Sequence, residues 1–163
     1  MFADKIESLV VHLATNLLKQ KWTISCAESC TGGGLAFAFT SVDGSSNWFE
    51  RSFVTYSNQA KHELLQVEQT TLDTFGAVSQ QTVEQMALGC AKVSKANLAV
   101  SISGIAGPNG GSTEKPVGLV WFGFYCQGQI TSTSRIFTGN RHQVRMQAIQ
   151  FALEQSILVC EGE

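Results

Sequence analysis

Charge is what this sequence has least of. Of its 163 residues only 15% are Asp, Glu, Lys or Arg, and 11 basic against 13 acidic side chains leave a formal charge of −2. Phosphate backbones and anionic lipid are gripped by clustered Lys and Arg, so neither nucleic acid nor a membrane is an expected partner. Long apolar runs are missing too: no stretch reaches the ~18 residues of a bilayer span. Asp4, Lys5 and Glu7 interrupt the place where a signal peptide would be apolar. The expected location is the cytoplasm. The five cysteines are odd in number and form no CxxC pair, and no Cys/His spacing suits zinc. They read as reduced thiols packed as small hydrophobes, with no metal and no cofactor. The sequence also lacks GxGxxG, the Walker pattern with its lysine, and GxSxG.

What is present is apolar substance. At 44% hydrophobic the chain exceeds what a disordered segment carries, and its length suits one domain over 1–163, able to bury ~70% of its unfolded surface. Ile6, Leu9, Val10, Leu13 and Leu17 recur at helical spacing, and Val83, Met86, Ala87, Cys90, Ala91 and Ser94 form one face of a second helix. Residues 22–27 read as a buried strand, 49–56 as another, and Asn58 as the cap of a short helix to Leu65. Residues 70–75 read as a turn. Residues 97–103 read as a central strand, 117–126 and 130–137 as a hairpin, and 141–159 as a closing helix. The pattern predicts an α/β fold, a three-layer α/β/α sandwich around a mixed, mainly parallel sheet.

Ligands of such sheets collect outside the carboxyl ends of the strands, and three segments leave those ends. The first is Glu28-Ser29-Cys30-Thr31-Gly32-Gly33-Gly34, a glycine-rich turn into a helix. Its N–H groups suit a phosphate or the oxyanion of acyl transfer, and Ser29 is placed to act as nucleophile. The plain alternative is that Ser29 or Thr31 caps the helix. A serine nucleophile needs a base, and His12, His62 and His142 read as surface residues. Lys61, after Tyr56 at the mouth of the second strand, qualifies if desolvation lowers its pKa from ~10.4 toward 7–8; otherwise it is an exposed helix lysine. Tyr56 is a candidate proton relay. The third segment, 103–118, offers backbone N–H groups, those of Gly107, Gly110 and Gly111 among them, with Ser103, Ser112, Thr113 and Lys115 for a phosphate or ribose; the plain alternative is a surface loop with turn chemistry. Beyond it Arg141 and Arg145, two of the chain's four arginines, share one helix face, where one or both can grip a phosphate or simply face water.

The blocks AESCTGGG at 27–34, GSSNWFERSFVTYSNQAK at 44–61, GAVSQQTVEQMA at 76–87, SISGIAGPNGGSTEKPVG at 101–118 and FTGNRHQVR at 137–145 resemble the C-terminal domain of the competence/damage-inducible CinA proteins. That family includes stand-alone nicotinamide mononucleotide deamidases. The resemblance runs in register over about residues 5–155. It implies a metal-independent amidohydrolase of the α/β/α type, a homodimer, whose substrate is nicotinamide mononucleotide and whose products are nicotinate mononucleotide and ammonia. Carried over, the family serine is Ser29 and the family lysine Lys61, with Tyr56 beside them. The N–H groups of Cys30, Thr31, Gly32 and Gly33 would hold the oxyanion, Glu28 would orient the loop, and Arg145 with the 107–112 loop would bind phosphate. Ser52 departs from the pattern, which often has glycine there; inside a strand, the change bears on packing.

Two other readings are carried beside this one. The same scaffold could serve an amidase or esterase for another nucleotide-like substrate, which substrate comparison separates. It could also serve a non-catalytic nucleotide-binding module, in which binding would occur without turnover.

Overall fold

Apolar spacing and capping set the elements along the chain, which the computed structural model describes for residues 2–162. Helix α1 (Phe2–Gln20) buries Ile6, Val10, Leu13, Ala14 and Leu17. Strand β1 (Ile24–Glu28) is buried throughout. A turn then leads into the short helix α2 (Gly34–Phe39), with Gly32 and Gly33 at φ of 60° and 98°, a region any side chain enters only at a cost. Strand β2 (Phe49–Val54) is followed by α3 (Asn58–Leu65), α4 (Gln69–Phe75) and α5 (Gln80–Ser94). Here two expectations are corrected. Ser57 rather than Asn58 caps α3, its hydroxyl accepting the Ala60 N–H at 3.0 Å. The 70–75 segment is helix α4, because Leu72 packs with Leu65, Val83 and Met86 and the Thr71 hydroxyl accepts from Gln85 at 2.8 Å. Tertiary contacts override the weak helix propensity of its threonines.

Strands β3 (Leu98–Gly104), β4 (Leu119–Cys126) and β5 (Gln129–Ile136) complete the sheet. The two residues joining β4 and β5, Gln127 and Gly128, both have positive φ, as a tight hairpin requires. Helix α6 (Arg141–Glu161) opens with a capping box between Asn140 and Gln143.

The five strands run in the order β2-β1-β3-β4-β5. β1 pairs in parallel with β2 and β3, while β3–β4 and β4–β5 are antiparallel, so parallel and antiparallel pairings balance. The connection from β1 to β2 runs through α2 on one face, and that from β2 to β3 through α3, α4 and α5 on the other. β1 therefore stands at the switch point of the parallel part, where a crevice opens at the carboxyl ends.

Alternation along the strands gives the two faces different characters. Toward α1, α2 and α6 point Ile24, Cys26, Leu98, Val100, Ile102, Val120, Phe122 and Phe124. Toward α5 the residues near the centre are small: Ala27, Ala99, Ser101 and Gly123. The helix sits so close that a Cβ on Gly123 would lie 2.3 Å from the Val83 carbonyl oxygen, and the Ser101 hydroxyl donates to that oxygen at 2.6 Å. On its other side α5 meets α3 with equal closeness, since a Cβ on Gly89 would lie 1.9 Å from the Leu65 carbonyl oxygen. Gly89→Ala is therefore expected to cost about 1–3 kcal/mol, read as a Tm lower by ~2–4 °C per kcal/mol. An unchanged melt would contradict this packing.

Candidate active site

The segments leaving β1, β2 and β3 converge on a cavity of about 320 Å³, within the size range of small-molecule sites. Ser29, Tyr56, Lys61, Ser103, Gly107, Gly110 and Arg141 all line it.

Lys61 belongs to α3 but turns inward, and only 1% of its surface is exposed. The alternative of an exposed helix lysine is thereby excluded. Its Nζ lies 3.0 Å from Ser29 Oγ and donates to the Thr55 carbonyl at 2.7 Å. Burial penalises the ammonium form and lowers the pKa from 10.5 to about 8. A substantial fraction of the amine is thus neutral near physiological pH, with a lone pair able to take the Ser29 proton. The neighbouring Cys30 thiol is driven the opposite way, up to about 11, chiefly by burial, and so remains protonated. Serine is the better-served nucleophile of this pair.

Glu28 is fully buried beneath the turn, and its contacts are all with donors. One carboxylate oxygen accepts from the Thr31 hydroxyl at 2.6 Å and the Leu35 N–H at 2.9 Å; the other accepts from the Ala36 N–H at 3.1 Å. The cap of α2 is thus Glu28 from a neighbouring strand, not Ser29 or Thr31. Ser52 reaches the same carboxylate at 3.5 Å and accepts from the Cys26 thiol at 3.3 Å, so this departure from the family pattern joins the network under the turn.

Tyr56 is 63% exposed at the mouth, and its hydroxyl accepts from Arg141 Nη2 at 3.0 Å while Nη1 of that arginine donates to the Gly107 carbonyl at 2.8 Å. Arg141, not Arg145, is the arginine that lines the cavity. Arg145 instead donates to the carbonyls of Cys30 and Thr31 at 3.1 and 3.3 Å. Within the 104–118 loop, Ser112 closes a local turn with Lys115, and Gly111 packs against Val117; neither lines the cavity. Thr31, Gly32 and Gly33 shape the turn without lining it, and the Gly32 N–H is already given to the Ser29 carbonyl at 3.0 Å. Two contributors went unread in the sequence: the Thr55 carbonyl, which carries no side-chain signal, and the Ala77–Val78 wall before α5.

The histidines stand elsewhere, as expected of surface residues. His12 contacts Glu161 at 3.0 Å and His62 the Val67 carbonyl at 2.8 Å, while His142 borders a separate hollow with Ala3 and Met146. A larger hollow of about 980 Å³ lies at the other end of the sheet, lined by Asn16, Gln20, Trp22 and Gln127. Cys126, Cys160, Lys19 and Glu161 also line it, but among the described residues no hydrogen bond there joins a nucleophile to a base, so volume alone does not identify the site. All five cysteines are free. Among the described residues no group of three or more His, Cys, Asp or Glu could hold a metal ion, and no helix is long and apolar enough to cross a membrane.

The lowered pKa of Lys61 has a stability consequence. Its folded value, about 8, lies below the unfolded 10.5, so between these pH values the unfolded chain binds more protons and the folded state gains as pH rises. The stability difference between Lys61→Met and wild type should therefore move in the wild type's favour by about 3 kcal/mol from neutral pH to pH ~11, as measured by urea melts. A pH-independent difference would show that the amine is not desolvated.

The family model for the CinA C-terminal domain matches residues 6–159. The chain is 51% identical over 158 residues to the nicotinamide-nucleotide amidohydrolase PncC of Enterobacter agglomerans, covering 96% of each. It is 53% identical over 133 residues to the protein of that name from Escherichia coli K12, covering 81% of each. Among solved structures, a CinA superfamily protein from Klebsiella pneumoniae superposes with a TM-score of 0.93 at 35% identity, over 97% of this chain and 99% of that one.

Proposed function

The chain belongs to the CinA C-terminal domain family, and from that premise we propose that it is a nicotinamide-nucleotide amidohydrolase working through Ser29 and Lys61. It is a hydrolase, like the relatives that match it nearly end to end. The observation that carries the mechanistic reading is the 3.0 Å contact between a buried amine and a serine hydroxyl at the head of a glycine-rich turn.

In this reading neutral Lys61 takes the Ser29 proton as Oγ attacks the carboxamide carbon of nicotinamide mononucleotide. The carbonyl π electrons move to oxygen, giving a tetrahedral oxyanion that the amide of Cys30, the turn residue lining the cavity beside Ser29, receives. Thr31, Gly32 and Gly33 drop out of the set expected from sequence, because none of them lines the cavity and the Gly32 N–H is engaged within the turn. Lys61, now an ammonium, returns the proton to the amide nitrogen. The C–N bond breaks, ammonia leaves, and an ester on Ser29 remains. Water, deprotonated by Lys61, then hydrolyses that ester to nicotinate mononucleotide and restores the hydroxyl. Tyr56 and Arg141 stand at the mouth rather than at the reacting atoms. Tyr56 serves to orient Arg141, whose guanidinium is placed to meet the phosphate. Ser103, Gly107 and Gly110 wall the space between, suited to the ribose.

Ser29→Ala and Lys61→Ala should each lower ammonia release from nicotinamide mononucleotide by several orders of magnitude; near-normal turnover in either variant would exclude the dyad. In the wild type kcat/KM should rise with pH through about 8 and level off above it, since the amine works in its neutral form. A rate that falls across that range would rule Lys61 out as base. Arg141→Ala should raise KM for the mononucleotide by about tenfold or more, as loss of a charge-assisted phosphate contact does. Hydrolysis of the phosphate-free riboside should be left alone.

A further inference from the structure

Arg145 is half-buried on the first turns of α6 and gives its donors to backbone oxygen. Nε donates to the Cys30 carbonyl at 3.1 Å and Nη2 to the Thr31 carbonyl at 3.3 Å. The guanidinium lies against Gly32, where a Cβ would stand 3.4 Å from Nη2. Gly32 is required by its positive φ of 60°, and the cation lies over it at contact distance.

The stereochemistry of the peptide gives these contacts a consequence. In a trans peptide the C=O and the next N–H point in opposite directions. Holding the Cys30 carbonyl from the α6 side therefore fixes the Thr31 N–H on the side away from Arg145. The neighbouring planes are fixed in the same way: Nη2 holds the Thr31 carbonyl, while the Gly32 N–H on the far side of that peptide donates to the Ser29 carbonyl at 3.0 Å. That last bond in turn fixes the Cys30 N–H opposite the Ser29 carbonyl. A charged donor on a carbonyl also polarises the amide, which strengthens its N–H as a donor.

We propose that Arg145 is a positioning residue for the oxyanion. Resting on the reading of Ser29 as nucleophile, it fixes the turn and, through the Thr31 carbonyl and the Gly32–Ser29 hydrogen bond, polarises the Cys30 amide that receives the negative oxygen, and it contacts neither substrate nor phosphate. Because that amide binds an oxyanion more strongly than a neutral carbonyl, losing Arg145 acts on the transition state rather than on substrate affinity.

The test combines steady-state kinetics with titration of pyridine-3-boronic acid, which accepts a serine oxygen to form a tetrahedral boronate anion. Arg145→Ala should lower kcat for nicotinamide mononucleotide by about 10- to 100-fold, short of the ~10²–10³ for losing an oxyanion donor outright. KM should stay within about twofold, boronate affinity should fall in parallel with kcat, and added guanidinium should restore part of kcat. Arg145→Lys keeps a cation without the planar fork and should fall between, which preserves the test if the alanine variant does not fold. A KM raised tenfold or more for the mononucleotide, with the riboside unaffected, would make Arg145 a phosphate ligand and overturn the inference. So would a lowered kcat with unchanged boronate affinity. If Ser29→Ala binds the boronate as tightly as wild type, it is the nucleophile reading that fails; if binding needs Ser29 yet ignores both Arg145 variants, only the inference about Arg145 falls.

Discussion

A primary amine held out of water beside a serine hydroxyl sets the terms for the rest of this molecule. An ammonium at that position would be poorly solvated, so the surroundings favour the neutral base, and the partners that remain, the Thr55 carbonyl and Ser29 Oγ, are those a working amine needs. Their spacing comes from the main chain. The Thr55 N–H donates to the Glu28 carbonyl at 2.8 Å, continuing the β1–β2 ladder. Its own carbonyl takes Lys61, and Lys61 reaches Ser29, the residue after Glu28. This closed ring of backbone and side-chain bonds ties the amine and the hydroxyl to the register of two parallel strands.

The surrounding architecture keeps that ring in place from three directions. From below, the Glu28 carboxylate anchors the start of α2 and the Thr31 hydroxyl, a charged acceptor at a helix N-terminus. On one face of the sheet, small residues let α5 settle close, and α5 in turn receives α3, the helix that carries Lys61. On the other face, the large side chains of β3 and β4 pack under α6, which brings Arg145 onto the turn and Arg141 to the mouth. A chain with so few charges places several of them here: one anion beneath the turn, one amine in the cavity, one guanidinium at its entrance and one behind it.

Much of this was legible in the sequence, for reasons that differ by residue. Long periodic helices such as α1, α5 and α6 are announced by their apolar stripes, and Ser29 and Lys61 by their places at the ends of strands. Helix α4 was not legible, because its threonines favour other conformations and only packing on α5 selects the helix. The roles of Arg141 and Arg145 were not separable either. Their i, i+4 spacing puts both on one face, but one helical turn advances ~5.4 Å, enough to set one at the cavity and the other against the Cys30 and Thr31 carbonyls. Glu28 could be read as a residue that orients the loop, yet its donors arrive from α2 and β2, so the network exists only after folding.

The most direct measurement of the central claim is a rapid acid quench of the enzyme during turnover of nicotinamide mononucleotide, followed by peptide mass spectrometry. The account predicts a nicotinoyl-mononucleotide ester on the peptide containing Ser29, located at that residue and absent from Ser29→Ala. Turnover that leaves Ser29 unmodified at every quench time, or an acyl group on Cys30 instead, would contradict it.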